Sequence, residues 1–204
     1  MKYMIIVGSH RADAQSLKVG EYIKKYTKET IKGVGIDLLD LNVERLPLWS
    51  EAAWDGDSDL SKIVKPYQDR VMSADAFVVI SPEWSGMVPA GLKNFFLYMN
   101  SEVMGHKPAM IVGVSSTHGG SYPVVELRMS SYKNTRLCYI PDHVVVEKVE
   151  DVLNSYGIDE EDKKDSYIKK RINYSIQILS EYAKAFQIIR DSDLINYKDF
   201  PFGM

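Results

Sequence analysis

The sequence predicts a doubly wound α/β fold, in which helices cover both faces of a parallel β-sheet. Three observations support this fold class. Short, continuously apolar runs recur along the chain, helical patterns separate them, and the loops after several runs are rich in glycine and small polar residues. Strands that are apolar on both faces are typical of a parallel sheet buried between helices. Five such units in succession indicate the doubly wound class.

The first three predicted strands alternate with two predicted helices. Apolar runs at 3–7, 35–41 and 76–80 predict strands one to three. A helix is predicted over 14–30, because residues that would share one helical face recur at spacings of four, three and four: Val19, Ile23, Tyr26 and Thr30. A second helical pattern over 59–73 leads directly into the third strand.

The second half of the sheet follows the same alternation. Pro89 occupies a first-turn position, where proline is favoured, and predicts a helix over 89–98. An apolar run at 109–114 predicts the fourth strand, and a helix over 121–134 follows it. The fifth strand falls within 137–147, where three valines are adjacent. These patterns leave the order of the strands open.

The residues 150–204 predict a C-terminal helical extension of a single domain spanning 1–204. Asp159 is the expected N-cap of a long helix, because acidic residues follow it and complement the positive end of a helix dipole. One apolar stripe is expected to close the sheet, and it consists of Ile168, Ile172, Leu179, Ala183, Phe186 and Ile189. A second is expected to pack on another subunit or to widen the buried face, and it consists of Tyr167, Tyr174, Ile178, Tyr182 and Ala185.

Composition limits the class of protein. A chain of 204 residues, 45% of them hydrophobic, suits one domain with a full-sized core. Acidic residues exceed basic ones by 28 to 25, so bulk charge favours neither a nucleic-acid partner nor a membrane surface. Cys138 is the one cysteine, which excludes an intramolecular disulfide and fits a reducing, cytoplasmic location. No run approaches the ~20 apolar residues that a membrane-spanning helix needs.

The first candidate binding loop, residues 8–16, follows the first strand. Ligands of open α/β sheets bind beyond the carboxyl ends of the strands. The loop carries one fixed positive charge and three neutral hydrogen-bonding side chains, namely Arg11, Ser9, Gln15 and Ser16. It leads into a helix N-terminus, whose free N–H groups attract a phosphate. The alternative interpretation is ordinary capping of the helix by Asp13 or Ser16.

The second loop, residues 81–89, follows the third strand. It brings Trp84 and the exposed backbone around Gly86 to the same edge of the sheet. A flat heteroaromatic ligand uses both, because it needs a surface to lie on and donors at its polar rim. The alternative is that Trp84 is a core residue in a tight turn.

The third loop, residues 115–121, follows the fourth strand. Its adjacent glycines, Gly119 and Gly120, allow the backbone to approach a ligand closely. The alternative interpretation is a flexible turn between strand and helix.

Taken together, the three loops resemble those of the NADPH-dependent FMN reductase family, in order and spacing, over roughly residues 1–147. The phosphate loop of that family is matched by Gly8-Ser9-x-Arg11 and Gln15-Ser16. Its flavin loop is matched by Pro82-Glu83-Trp84-Ser85-Gly86 and Pro89-x-Gly91-Leu92-Lys93-Asn94. Its glycine-rich loop is matched by Thr117-His118-Gly119-Gly120 and Leu127-Arg128.

The resemblance implies a flavodoxin-like sandwich with a parallel sheet in the order 2-1-3-4-5 and a bound FMN. It implies that the phosphate of FMN is held by Ser9, Arg11, Gln15 and Ser16. The isoalloxazine would be lined by Pro82, Glu83, Trp84, Ser85 and Gly86. Its pyrimidine edge would be bordered by Ser115, Thr117, His118, Gly119 and Gly120. Lys93 and Asn94 would brace the second loop.

The chain departs from the family pattern at several positions. Ala14 stands where the family often has serine, which removes a phosphate donor. Trp84 replaces tyrosine, and Ser85 replaces asparagine. The bulkier indole would leave the flavin face less open to a second substrate. The segment beyond about 150 has no clear counterpart in the short members.

The resemblance implies an FMN-dependent NAD(P)H oxidoreductase. Such an enzyme passes hydride from NADPH or NADH to FMN and then electrons to a small acceptor, such as a quinone, free flavin, azo compound or metal ion. The cofactor carries the chemistry, so no catalytic side chain is expected. His118 could protonate an acceptor, and the alternative is a loop histidine bonded to backbone or water. A homodimer or homotetramer is expected.

Two other classes of function are weighed against the reductase. The first is a non-enzymatic FMN protein, either an electron carrier or an accessory subunit. The second is a hydrolase with Ser115 or Ser116 as nucleophile, but the sequence there lacks the second glycine of G-x-S-x-G. No metal site is expected, because one cysteine and four scattered histidines show no ligand spacing.

Overall fold

A five-stranded parallel sheet between two helical layers forms the architecture in the computed structural model, which describes residues 1–203. The strands are β1 (Lys2–Val7), β2 (Gly35–Asp40), β3 (Ala76–Pro82), β4 (Pro108–Val114) and β5 (Cys138–Val146). They lie in the order β2-β1-β3-β4-β5, and all neighbours are parallel. The predicted fold class and the strand order implied by the resemblance are both confirmed.

Six helices cover the sheet among the described residues, and they divide into two layers. They are α1 (Gln15–Thr30), α2 (Asp59–Met72), α3 (Ala90–Leu97), α4 (Ser101–Met104), α5 (Ser121–Ser130) and α6 (Lys163–Arg190). Helices α1 and α6 pack on one face, and α2 to α5 on the other. Strands β3 and β4 are buried along their whole length, which is why both appear in the sequence as continuous apolar runs. No helix within 1–203 is long and apolar enough to cross a bilayer.

Two element boundaries differ from the prediction by more than one residue, and one helix is additional. Strand β3 continues to Pro82, two residues further than expected. Helix α5 ends at Ser130 rather than 134, where Thr135 Oγ1 donates to the carbonyl of Ser131 at 2.6 Å and turns the chain. Helix α4, a single turn, was not expected from the pattern, and the side chain of Asn100 caps it by accepting the N–H of Val103 at 3.1 Å.

The expected cap of the long helix is wrong. Helix α6 begins at Lys163, and the carboxylate of Asp162 accepts the N–H of Asp165 at 3.1 Å. Asp159 instead accepts the N–H of Glu161 at 3.0 Å and forms a local turn ahead of the helix. Both aspartates are competent caps by residue type, so the choice between them depends on how the preceding segment is anchored.

Lys169, a fully buried residue of α6, anchors that preceding segment. Its ammonium lies 2.5 Å from the carboxylate of Asp165, and it donates to Ser155 Oγ at 3.1 Å and to the carbonyl of Gly157 at 2.5 Å. Asp165 also accepts the N–H of Leu153 at 2.6 Å. A buried charge needs such fixed partners, so the segment 153–157 adopts the path that Lys169 requires.

The two stripes predicted on α6 have different environments. The core stripe is confirmed for Ile168, Ile172, Leu179 and Ala183, and Ile176 joins it. Near the helix end this stripe leaves the core, since Ile189 is 43% exposed. In the second stripe, Ile178 and Tyr182 pack on the same core, whereas Tyr167 and Tyr174 are exposed. The second stripe therefore partly widens the buried face.

After α6 the chain returns to the amino-terminal edge of the sheet. The ring of Tyr197 stacks on His106 with centroids 6.3 Å apart, and the guanidinium of Arg136 lies 5.5 Å from the Tyr197 ring. Arg136 also donates to the carbonyl of Phe202 at 2.9 Å. Burial, together with the nearby Arg136, lowers the pKa of His106. The C-terminal segment thus lies against the edge opposite the three candidate loops.

Replacing Lys169 should strongly destabilise the fold. Lys169→Met leaves the nearly buried carboxylate of Asp165 without its cation, which should lower the free energy of unfolding by about 3 kcal/mol in urea titrations. The matched control is Lys170→Met, because Lys170 pairs with Glu160 in solvent and should cost less than ~1 kcal/mol. Equal losses in the two variants would contradict the anchoring role of Lys169.

Candidate functional site

A cavity of about 320 Å³ lies at the carboxyl edge of the sheet, and all three predicted loops reach it. Eight of the predicted residues line it: Ser9, Arg11, Gln15, Ser16, Pro82, Glu83, Trp84 and Ser115. Six do not: Ser85, Gly86, Thr117, His118, Gly119 and Gly120. The remaining lining residues are Asp13, Ala14, Val114, Ser116, Val149 and Glu150.

The first loop presents an uncapped helix to this cavity. Ala14 is the N-cap of α1, and no side chain hydrogen-bonds the first turn, so capping by Asp13 or Ser16 is excluded. Ser9 is buried, and its Oγ accepts the N–H of Arg11 at 3.2 Å. The N–H groups at the start of α1 therefore stay available to an anion in the cavity.

Gly8 is fixed by close packing at the start of the first loop. Its N–H donates to the carbonyl of Ile80 at 2.8 Å. A Cβ at this position would lie 2.5 Å from the Leu92 side chain and 2.7 Å from the Ile80 carbonyl. Only glycine allows this contact, which sets where the first loop leaves the sheet.

The second loop makes a tight hairpin turn. Trp84 and Met87 exchange two backbone hydrogen bonds, of 3.0 and 2.9 Å. The two residues between them have positive φ, 51° at Ser85 and 74° at Gly86, which is the pattern of a type I′ turn. Asparagine tolerates this conformation better than serine, so Ser85 carries backbone strain.

The indole of Trp84 is half-buried and lines the 320 Å³ cavity. Its ring meets the ring of His10 edge-on, with centroids 4.6 Å apart. Trp84 belongs to neither apolar core cluster. The interpretation as a core residue is therefore wrong, and the ring is placed as a wall of the site.

The third loop is held by two carboxylates. Glu83 accepts the N–H of Gly120 at 2.6 Å, and Glu147 accepts the N–H of Gly119 at 3.3 Å. Glu147 also contacts His118 Nδ1 at 3.2 Å, and these hydrogen bonds, that of His118 foremost, lower the pKa of the Glu147 carboxyl. His118 is thus an exposed histidine bonded to a carboxylate rather than to backbone, and it lies outside the cavity.

Gly120 and Gly113 pack backbone against backbone. Gly120 has φ of 98°, and a Cβ on Gly113 would lie 1.9 Å from the Gly120 carbonyl. Both positions therefore exclude larger residues, and the third loop lies directly on the end of β4. A fixed contact of this kind is the opposite of the flexible turn that was the alternative interpretation.

The bracing residues act on two different loops. Lys93 pairs with Glu126 at 2.5 Å, and Glu126 accepts the N–H of Val88 at 2.8 Å, which braces the second loop as expected. Asn94 instead accepts the N–H of Trp49 at 2.8 Å and donates to the carbonyl of Pro47 at 2.7 Å. Asn94 therefore fixes the loop after β2.

The charges around the cavity favour binding through N–H groups. Arg11 is the one cationic side chain among the lining residues, and Asp13, Glu83 and Glu150 are acidic. Lys18 is close by, but its ammonium is engaged by three oxygens, including the carbonyls of Val149 and Val152 at 2.7 and 2.8 Å. An anion here would rely on Arg11 and on the start of α1.

The hydrolase alternative has no support in the geometry. Ser115 Oγ accepts the N–H of Thr117 at 3.2 Å, while His118 is paired with Glu147. Neither Ser115 nor Ser116 is hydrogen-bonded to a histidine within the described part of the chain. A serine nucleophile requires such a base within reach.

The loop after β5 also contributes to the site and was missed by sequence reasoning. Val149 and Glu150 line the cavity, and the N–H of Val149 donates to the carbonyl of Ser115 at 3.0 Å. All strands of a parallel sheet point the same way, so the loop after the fifth strand should have been inspected as well.

Comparison with known proteins identifies the family. Residues 1–151 match the family model described as NADPH-dependent FMN reductase. The chain belongs to the NADPH-dependent FMN reductase family. As a member of this family, it is an oxidoreductase that uses FMN and NADPH. The enzyme class and the cofactors expected from the sequence are confirmed.

Proteins similar to this chain are named for different acceptors. An NADPH azoreductase of Bacillus sp. (strain OY1-2) is 28% identical over 147 residues, which are 72% of this chain and 77% of that protein. A 2-hydroxy-1,4-benzoquinone reductase of Burkholderia sp. is 26% identical over 119 residues, 56% of this chain and 61% of that protein. The solved structure of FerB, a flavoenzyme NAD(P)H:(acceptor) oxidoreductase of Paracoccus denitrificans, superimposes on this chain with a TM-score of 0.72 at 17% sequence identity. The superposition covers 91% of this chain and 98% of the FerB chain.

The residues present fit the phosphate and the ring of FMN. The uncapped start of α1, with Arg11 beside it, offers unpartnered donors to a phosphate. Trp84 offers an aromatic surface at the other side of the same cavity. The N–H groups of Gly119 and Gly120 are already bonded to carboxylates, so the third loop provides fewer free donors than the resemblance implies.

Removing the Glu83 carboxylate should loosen the third loop. Glu83→Ala leaves the buried N–H of Gly120 without an acceptor, which should cost about 1–3 kcal/mol and speed amide hydrogen exchange in 117–121. Glu83→Gln keeps an acceptor oxygen and should show a smaller change. Glu147→Ala is the control, since its bond to Gly119 is exposed to water. Unchanged exchange in Glu83→Ala would contradict this role.

Proposed function

We propose that this chain holds FMN in the 320 Å³ cavity and uses NAD(P)H to reduce a small organic acceptor through it. One observation carries the proposal: three loops that resemble the family's loops converge on one cavity at the uncapped start of α1. The doubly wound fold places ligands at this edge in general, which supports the same location.

The phosphate end of FMN would be bound by the first loop. Arg11 supplies the positive charge, and the start of α1 supplies the N–H groups of Gln15 and Ser16. The hydroxyl of Ser9 is buried at the base of the loop and accepts from Arg11, which orders the loop before a phosphate arrives. A preordered loop lowers the entropy cost of binding.

The ring end of FMN would lie against the second loop. Trp84 supplies an apolar wall, and the type I′ turn at Ser85 and Gly86 keeps this wall at the rim of the cavity. Lys93 and Glu126 hold the loop from behind through the N–H of Val88. Gly119, Gly120, Thr117 and His118 would border the ring, although they do not line the cavity itself.

The protein's part in the reaction is to position and shield. FMN, when bound, supplies the hydride and electron transfer. The chain would hold the reactants at contact distance. Trp84 and the braced second loop would contribute to this positioning. No side chain is assigned as a general acid. His118, which lies outside the cavity and is paired with Glu147, remains the candidate proton donor to an acceptor.

The decisive test of function is the visible spectrum of the purified protein under anaerobic conditions. We expect a flavin spectrum that bleaches on addition of NADPH or NADH and returns when a quinone is added. A flavin spectrum that neither nucleotide changes would favour the carrier or accessory protein. A colourless protein that takes up no added FMN would contradict the proposal.

Arg11 should be specific for the phosphate of the cofactor. Arg11→Gln should raise the Kd for FMN by roughly 10- to 100-fold, because a charge-assisted hydrogen bond is lost. The Kd for riboflavin, which lacks the phosphate, should stay the same in titrations of the apoprotein. Lys28→Gln, at the far end of α1, is the matched control. An equal loss of riboflavin affinity would refute the assignment of Arg11 to the phosphate.

We also propose a homodimer formed through α5 and α3. An exposed apolar stripe follows the outer face of α5, through Tyr122, Val125 and Met129, which are 67%, 55% and 76% exposed. A groove of about 580 Å³ lies beside it, between α3 and α5. A ridge next to a groove on one face is self-complementary, as a two-fold interface requires. A homotetramer would add a second contact, for which Tyr167 and Tyr174 are exposed.

Charges on the α5 stripe should break the dimer. Val125→Glu combined with Met129→Glu should raise the dimer dissociation constant about a hundredfold or more, since two carboxylates would be buried against apolar surface. Light scattering after gel filtration measures the mass. The matched control is Tyr167→Glu with Tyr174→Glu on α6. A wild-type monomer, or dissociation by the α6 pair alone, would refute the α5 interface.

A reducing compartment such as the cytoplasm is proposed for the protein. Cys138 is half-buried and free, and burial raises the pKa of its thiol, which keeps it protonated and unreactive.

A further inference from the structure

A cavity of about 690 Å³, here called the amino-terminal cavity, lies at the edge of the sheet opposite the three loops of the proposed FMN site. It is formed by the residues just before β4 and β5, the last turn of α6 and the C-terminal segment. Its volume lies within the roughly 300–1,000 Å³ that is usual for small-molecule sites. Six of its walls are large and apolar: Ile188, Ile189, Leu194, Ile195, Phe200 and Phe202. The cavity thus offers an apolar ligand a place that the flavin chemistry does not use.

Two polar residues with strained backbone share one wall of this cavity. His106 and Arg136 have φ of 55° and 52°, and the N–H of His106 donates to the carbonyl of Arg136 at 2.9 Å. Such conformations are rare for residues with large side chains, and they cluster at ligand sites. The fold therefore holds both side chains at the cavity at a cost in backbone energy.

Arg136 is the lasting positive charge of the cavity. Its half-buried guanidinium donates to the carbonyls of Phe200 and Phe202, which carry no full charge. No carboxylate side chain lies among the walls that the structure describes. Burial, together with Arg136, lowers the pKa of His106, so its imidazole is neutral at pH 7. A half-buried cation whose surroundings provide no carboxylate favours an anionic ligand.

The remaining polar side chains of the cavity are already satisfied. Ser192 Oγ donates to the carbonyl of Ile189 at 2.8 Å. The side chain of Asn196 accepts the N–H of Asp199 at 3.0 Å and donates to the Asp199 carboxylate at 3.0 Å. Apart from the wall of His106 and Arg136, the side chains open to a ligand are therefore apolar.

From these features we propose that the amino-terminal cavity binds an aliphatic carboxylate such as a fatty acid. The carboxylate pairs with Arg136, whose planar guanidinium suits two carboxylate oxygens. The alkyl chain lies along Ile188, Leu194 and Phe202 and is stabilised by leaving water. This binding is separate from the reduction of FMN and requires no nicotinamide.

Other occupants match only part of these walls. A neutral alcohol leaves the charge of Arg136 unpaired beside apolar surface, and an alkyl ammonium meets a like charge. An inorganic anion leaves the apolar walls in contact with water. A second copy of the chain that docks through its own apolar stripe would bury Arg136 without a counter-ion. An amphipathic anion satisfies the charge and the apolar walls together.

The test is calorimetric titration of the FMN-loaded protein with decanoate below its micelle concentration. We expect one site per chain and a Kd for decanoate at least tenfold lower than that for 1-decanol, which has the same alkyl chain without the charge. Equal affinities for the two probes would overturn the pairing with Arg136. Absence of decanoate binding would overturn the proposal as a whole.

Two variants separate the charge from the apolar walls. Arg136→Gln should raise the Kd of decanoate to that of decanol, whereas Arg136→Lys should keep part of the preference for the acid. Because Arg136 also holds the C-terminal segment, the second variant is Leu194→Glu, at a position that is 89% exposed and should tolerate the change. Its new carboxylate repels the ligand, so the Kd of decanoate should rise about tenfold or more.

The matched control is Val43→Glu. Val43 is 76% exposed near the carboxyl edge of the sheet and does not line the amino-terminal cavity, so the Kd of decanoate should stay the same. Equal weakening by Val43→Glu and Leu194→Glu would show unspecific binding to surface and would overturn the site. A wild-type protein that binds no decanoate but loses mass in light scattering on Leu194→Glu would assign this face to a second copy instead.

Discussion

The structure depends above all on the parallel pairing of β1, β3 and β4. One row of the sheet aligns Val7 with Ile80 and Ile80 with Val112. Strand β1 ends at this row, and β3 and β4 end together two residues further on, at Pro82 and Val114. The N–H of Gly8 extends the ladder by bonding the carbonyl of Ile80, so the three candidate loops leave the same edge of the sheet. A shift of one residue in either pairing would move the start of a loop by about 3.3 Å and turn its side chains to the opposite face. The site is therefore a consequence of strand register before it is a consequence of loop chemistry.

Backbone donors are distributed unequally over the site. In the first loop, the start of α1 has no side-chain cap, and its N–H groups remain available. In the third loop, Glu83 and Glu147 occupy the N–H groups of the two glycines. One side of the site is thus prepared for an anion, while the other is rigidified by its own carboxylates. Among the acids that line the cavity, Glu83 is occupied by the third loop, and Arg11 stands in the first loop beside the free donors, so a phosphate would meet the first loop.

Much of the fold and the location of the site could be predicted from the sequence, because both depend on local patterns. Apolar runs predicted the positions of the strands, and the loops after three of these strands line the cavity. The predictions fail where contacts between residues far apart in the sequence determine the local structure. Asp159 and Asp162 are equally good caps, and the choice follows from Lys169, which is buried by tertiary packing. The part played by Val149 likewise depends on which loops become neighbours. Periodicity carries no information on such contacts.

The turn at Ser85 has a consequence for the lifetime of the molecule. Serine at a φ of 51° is less comfortable than asparagine would be. Asparagine before Gly86, however, would form the dipeptide in which the side-chain amide is lost most readily, since a following glycine leaves the backbone nitrogen free to attack it. This deamidation would place a new negative charge at the rim of a cavity that is already lined by acidic residues. Serine has no side-chain amide, so this turn carries some backbone strain but cannot deamidate.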